Sequence, residues 1–300
     1  MNINMLSDAD NDAGFYAAAN GGETSWRGAT LTRSTDLGAT YHIVGAFDTP
    51  ATMGTTVGAL GNFLGGNIPD ELNKLTVNLS YGEIASVSYA SFINGAQAAV
   101  IGSEIVYYRE AILNVDGSYT LRGLLRGRRG SEYAMSAHVP GERIIFLAVN
   151  SIKRISDLTS SIGVERLYKA ITLGQSTGTT KTFTNTASGL KPYSVAQLGG
   201  GRSLTGDLQV TWARRARMSG EWRDSVDVPL GEDSEAYVVE IWDSGRTTLK
   251  RTISGLTSAS ATYAAAQQVT DFGGLQSSIA VSVYQLSAIV GRGYEARVTL

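Results

Sequence analysis

His42 and His138 are the only histidines among the 300 residues, so an imidazole mechanism would rest on one of two isolated side chains. Neither belongs to a metal-spaced group or adjoins a recognisable nucleophile. His138 lies in Ser136-Ala137-His138-Val139-Pro140-Gly141-Glu142, where the expected role is a hydrogen bond within a turn. The absence of cysteine removes thiolate zinc sites, iron–sulfur clusters, disulfide frameworks and cysteine nucleophiles together. Glycoside hydrolysis needs only two carboxylates, but among 27 Asp and Glu no local spacing singles out a pair. The reading is therefore of a chain with no catalytic constellation and no cofactor.

Other groups carry weaker chemical signals. Asp8-Ala9-Asp10-Asn11-Asp12 has the alternating oxygens of half a calcium loop, yet the sixth position is Ala13 instead of Gly and the twelfth is Ala19 instead of Glu. It reads as a solvated N-terminal arm, and no metal site is expected. The run 123–130 contains Gly123, Gly127 and Gly130 but no lysine–hydroxyl pair and no helical pattern after it, which argues against a phosphate loop. Its arginines Arg126, Arg128 and Arg129 are expected in structural ion pairs or subunit contacts, because a net charge of −2 gives little attraction for nucleic acid. Arg214, Arg215 and Arg217 precede Trp222 and a set of carboxylates that includes Asp227 and Glu232. That pattern predicts a loop pinned by guanidinium–carboxylate bonds. Trp222, Trp242 and Tyr284 are candidate contact aromatics, against core packing as the commoner fate of such side chains.

The elements that must position these groups are strands. Thirty-five glycines, 14 tyrosines and a charged fraction of 17% favour short strands joined by glycine turns, so the fold class is all-β. Leu75, Val77 and Leu79 alternate with polar residues, and Leu167, Ile171 and Leu173 share one parity of 164–174. Asn94-Gly95 and Asp116-Gly117 are tight-turn signals; the second joins 111–115 to 118–124 as a hairpin. A polar stretch at 175–189, broken by Phe183, predicts a long hairpin or loop, and Gly199-Gly200-Gly201 predicts a linker. The expected division is a β-rich domain at 1–198, a linker at 199–205 and a sandwich at 206–300. In that sandwich Trp212 would face a row of Tyr237, Val239 and Ile241, with a helical turn at 263–271. The longest purely apolar run, 144–149, is far short of the roughly 20 residues of a membrane-spanning helix. The acidic N-terminus does not read as a secretory signal.

Several distinct short motifs stand in order along the chain. They include Trp26-Arg27-Gly28-Ala29, Ile93-Asn94-Gly95, Ile101-Gly102-Ser103-Glu104, 124–132 with its arginines, 138–142, 212–217, Pro229-Leu230, Gln285-Leu286-Ser287 and Gly291-Arg292-Gly293. Over 13–300 the chain resembles the C-terminal part of the tail-tip hub proteins of long-tailed phages and of phage-like gene transfer agents. The resemblance implies a virion structural protein at the tail tip, usually three copies around the tail axis. It also implies a β-rich domain followed by a fibronectin type III-like module, with hub, distal tail or fibre proteins as partners. Proteins of this kind usually carry hub domains ahead of this region, so fibre attachment or host contact is the expected task. A glycan-binding module at the host surface and a wall-degrading hydrolase are the competing expectations.

Overall fold

The alternating segment at Leu75 and Val77 is a strand, and it turns those two side chains, 1% and 0% exposed, into the interior of a closed barrel. The computed structural model describes residues 1–220, 224 and 226–300, and its chain divides into two units, Met1–Gly189 and Leu190–Leu300. Both are built of strands, with only short helices between them, as the composition predicts.

In the first unit the strands are β1 (Phe15–Ala18), β2 (Ala29–Ser34), β3 (His42–Phe47), β4 (Met53–Thr56), β5 (Leu75–Tyr81), β6 (Ala98–Ile101), β7 (Glu104–Leu113), β8 (Tyr119–Arg128), β9 (Arg143–Phe146), β10 (Ile152–Ile155), β11 (Glu165–Thr172) and β12 (Thr180–Thr184). The barrel runs β4-β5-β8-β7-β6-β9, antiparallel throughout, which leaves no edge strand open. Val77, Ile101, Val106, Tyr108, Leu121 and Ile144 fill it. The Asp116-Gly117 signal makes the β7–β8 hairpin as expected: Gly117 takes φ 83°, and Asp116 Oδ1 accepts the Ser118 N–H at 3.0 Å.

Outside the barrel, β1 pairs β10, and β12-β11-β2-β3 form a second sheet. The 175–189 stretch returns as β12 on β11, with Glu165 opposite Thr184, so it is a hairpin there. Phe183 packs on Phe15 and Tyr168 at ring separations of 4.8 and 6.0 Å. Three expectations are corrected here. Tyr168, of the parity opposite to Leu167 and Ile171, enters the core, and Leu173 is exposed, because the aromatic group Phe15, Tyr168 and Phe183 buries more apolar surface than the leucine row would. Asn94-Gly95 ends a short helix, α1 (Tyr89–Ile93), instead of joining two strands: Gly95 at φ 78° donates its N–H to the Phe92 carbonyl oxygen. The N-terminus is not a solvated arm, since Ile3 is buried beside Tyr16, Val100 and Ile105, and Met5 is buried as well.

The second unit contains β13 (Ala196–Arg202), β14 (Leu208–Ala213), β15 (Tyr237–Trp242), β16 (Leu249–Leu256), β17 (Ser260–Tyr263), α2 (Ala265–Phe272), β18 (Ala280–Ser287), β19 (Gly291–Arg292) and β20 (Ala296–Thr299). One sheet is β13-β14-β17; the other is β16-β15-β18, with β19 and β20 both on β18. First, second and fifth strands in one sheet and third, fourth, sixth and last in the other make a fibronectin type III-like sandwich. Trp212 and Tyr237 meet edge to face at 5.1 Å in its core with Val239 and Ile241. The glycine run corrects the linker expectation: Gly199–Gly201 lie inside β13, and the division falls ahead of it at Gly189 and Leu190. A Cβ at Gly200 would meet the Gln209 carbonyl oxygen of the paired strand, so glycine there permits close backbone approach.

Candidate functional site

The densest group of ionisable side chains closes one end of the barrel. Glu104 opens β7 on the parity of the interior residues Val106 and Tyr108, which turns its carboxylate inward. Arg126, near the end of β8, donates Nε to Glu104 Oε1 at 2.8 Å and Nη2 to Oε2 at 2.9 Å, a bidentate pair. Its Nη1 donates to the Gly61 carbonyl oxygen at 2.7 Å and to Asp70 Oδ2 at 3.2 Å. One guanidinium thereby fastens both ends of the segment 61–70 in the long β4–β5 connection. Asp70 also accepts the N–H groups of Leu72 and Asn73, at 3.1 and 2.9 Å. The side chains of Glu104 and Asp70 are 0% exposed and that of Arg126 is 1%.

His138 completes the group: Nε2 lies 2.7 Å from Glu104 Oε2, and Nδ1 lies 2.7 Å from Glu142 Oε2. A ring held between two carboxylates needs a proton on each nitrogen, the imidazolium form. Burial opposes that charge, but the Glu104 and Glu142 hydrogen bonds outweigh it and hold the His138 pKa above its ordinary value. Burial likewise opposes ionisation of Glu104, and its bonds to His138 and Arg126 carry the pKa below the ordinary carboxylate value. Both Glu104 oxygens already accept two donors each, Oε1 including the Gly127 N–H at 2.7 Å. The geometry suits a brace that ties the β7 start, the β8 end and two loops together. A general base with a free lone pair is not what it presents. Sequence reasoning placed His138 in a local turn and gave Asp70, Glu104 and Glu142 no role. The His138–Glu142 spacing of four was the one visible hint; Asp70 is distant in sequence and offered none.

The other sequence candidates are dispersed. Arg128 stacks over Tyr107 at 5.4 Å and donates to Asn67 Oδ1 at 3.0 Å. Arg129 is exposed, with one 3.5 Å bond to the Met5 carbonyl oxygen and no carboxylate partner among the described residues. In the second unit Arg214 donates to Asp227 at 2.9 Å, and Arg217 to Glu232 at 2.6 Å with both side chains buried. Burial still raises the Glu232 pKa despite that partner. Arg215 stacks over Tyr193 at 5.3 Å. Trp242 is half-buried, with its indole N–H covered and without an acceptor among the described residues. Tyr284 lies under Arg292 at 4.8 Å, and burial, with Glu295 and Glu240 nearby, pushes its hydroxyl up to about 12. Trp222 lies outside the described residues. At the N-terminus, Asp12 pairs with Arg154 and donates no oxygen to a metal cluster; none of three or more such groups occurs among the described residues. No helix among them is long and apolar enough to cross a membrane.

Fold and site together describe an all-β protein with an internally braced barrel and a fibronectin type III-like sandwich. Residues 51–145 match the family described as Rcc01698-like, C-terminal, a family related to gene transfer agents. The matched segment contains every barrel strand but the last residue of β9, and every member of the buried charge group. No curated protein matches the chain. Among solved structures, the FN1–FN3 domains of chicken CNTN1 align over 96% of this chain and 97% of that one, at 10% identity and a TM-score of 0.25, too low to define a shared fold.

Proposed function

We propose that this chain is a structural component of a phage-type tail tip, as in a phage or a gene transfer agent, and that it catalyses no reaction. In this reading it assembles as a homotrimer around the tail axis, beside hub, distal tail or fibre proteins, and supports fibre attachment or host contact. The observation that carries the reading is the coincidence of the family match with the braced barrel: the matched residues 51–145 include Asp70, Glu104, Arg126, His138 and Glu142, which engage one another inside it. Rigid strands present loops at fixed positions, and threefold repetition multiplies weak contacts. The test is reconstitution of tails made without this chain, followed by cryo-electron microscopy. Restored tips with three-fold density for the chain are expected; a chain that stays monomeric and joins no tail overturns the proposal. Zymography on host wall material is expected to show no clearing.

A further inference from the structure

Beside the barrel, and apart from the charge brace, the first unit holds a cavity of about 390 Å³, within the range of about 300–1,000 Å³ usual for small-molecule sites. Leu6, Leu147 and Ile152 give it apolar walls. Its charged lining is uneven. Asp10 Oδ2 already accepts the Tyr16 hydroxyl at 2.5 Å and the Ser7 N–H at 3.1 Å. Arg154 stacks over the Tyr16 ring at 4.7 Å and gives Nε and Nη2 to Asp12 and to main-chain oxygens, leaving Nη1 covered and without an acceptor among the described residues. Arg129 contributes a second guanidinium whose one bond, at 3.5 Å, goes to a main-chain oxygen. Its backbone sits at φ 54°, a left-handed conformation unusual outside glycine, and Asn4 Nδ2 holds it there by donating to the Arg129 carbonyl oxygen at 2.7 Å. The cavity lining thus includes an exposed planar cation with no carboxylate partner among the described residues, in an unfavourable backbone conformation, beside apolar walls.

We infer that this cavity binds a small carboxylate with an apolar body, its two oxygens received by the Arg129 guanidinium and its hydrocarbon lying against Leu6, Leu147 and Ile152. The planar fork of arginine matches a carboxylate in a way a single ammonium would not, and the apolar walls favour an aliphatic or aromatic body over a polyhydroxylated one. The site is separate from the proposed assembly role and does not depend on it.

Octanoate labelled with ¹³C at the carboxyl carbon, titrated into the full chain below its micellar range and followed by NMR, tests this. Saturable binding at one site is expected, with octanol weaker by about tenfold or more, since a charge-assisted pair contributes at least that factor. Arg129→Gln, an exposed position, is expected to weaken octanoate by about tenfold and leave octanol unchanged. Ala98→Met, which fills the cavity from β6, is expected to weaken both. Absence of saturation, equal binding of octanol and octanoate, or undiminished octanoate binding by a folded Arg129→Gln protein overturns the inference.

Discussion

Arg126 is the residue on which the barrel end converges, since it touches Glu104, Asp70 and the Gly61 main chain together. Replacing it by methionine keeps much of the volume but leaves the buried Asp70 carboxylate without its cation and strips Glu104 of its bidentate partner, with His138 remaining. Loss of one partner from a buried pair costs about 3–5 kcal/mol, so Arg126→Met is expected to lower the unfolding free energy by that amount in urea titrations. The same group sets a pH response. His138 titrates above its ordinary 6.5 in the folded chain, so its stabilisation is complete below about pH 6.5 and declines as pH rises through the folded value. Glu104 titrates below its ordinary 4.5, so its stabilisation is present above about pH 4.5 and is lost as pH falls through the folded value. Stability measured across pH is expected to fall on both sides of that interval. His138→Asn is expected to remove the alkaline decline and keep the acid one; an unchanged alkaline limb would refute the imidazolium assignment.

Among elements, β4 is held closely by its neighbour β5 at Gly54. A Cβ at Gly54 would strike the Asn78 carbonyl oxygen and come within 2.8 Å of the Leu79 Cα, both backbone atoms of the paired strand β5. Neither can yield as a flexible side chain would. Gly54→Ala is therefore expected to destabilise by roughly 1–3 kcal/mol, read as a lower urea midpoint with an unchanged slope. Gly117, at the tip of the β7–β8 hairpin, has open space around its missing Cβ, so only its φ of 83° opposes substitution. Gly117→Ala is expected to cost about 1 kcal/mol, less than the change in β4. The two glycines were not equally legible. Asp116-Gly117 announces a hairpin locally, because Asp and Gly tolerate the turn conformation. Gly54 is required by a residue 24 positions away, which no local pattern records.

At the scale of the whole molecule, the two units each bury their own apolar cluster. Residues 190–300, expressed alone, are expected to unfold cooperatively in calorimetry. Trp212→Ala in that fragment is expected to cost about 3–5 kcal/mol, because the indole is 7% exposed against Tyr237; a broad, non-cooperative transition would show that the sandwich core does not suffice. The sequence by itself determined the strand-rich class, the β7–β8 turn and the Trp212–Tyr237 core, since each follows from composition or from spacing within a strand and its neighbour, while at 175–189 it allowed either a hairpin or a loop. Tertiary structure decided that Gly199–Gly201 are strand and not linker, that Tyr168 takes the core place its neighbouring leucine would have filled, and that Asp70, Glu104, Arg126, His138 and Glu142 meet. The physical reason is range: turn conformation and alternation act within a few residues, whereas barrel closure brings together groups tens of residues apart, and only their desolvated proximity gives those charges a role.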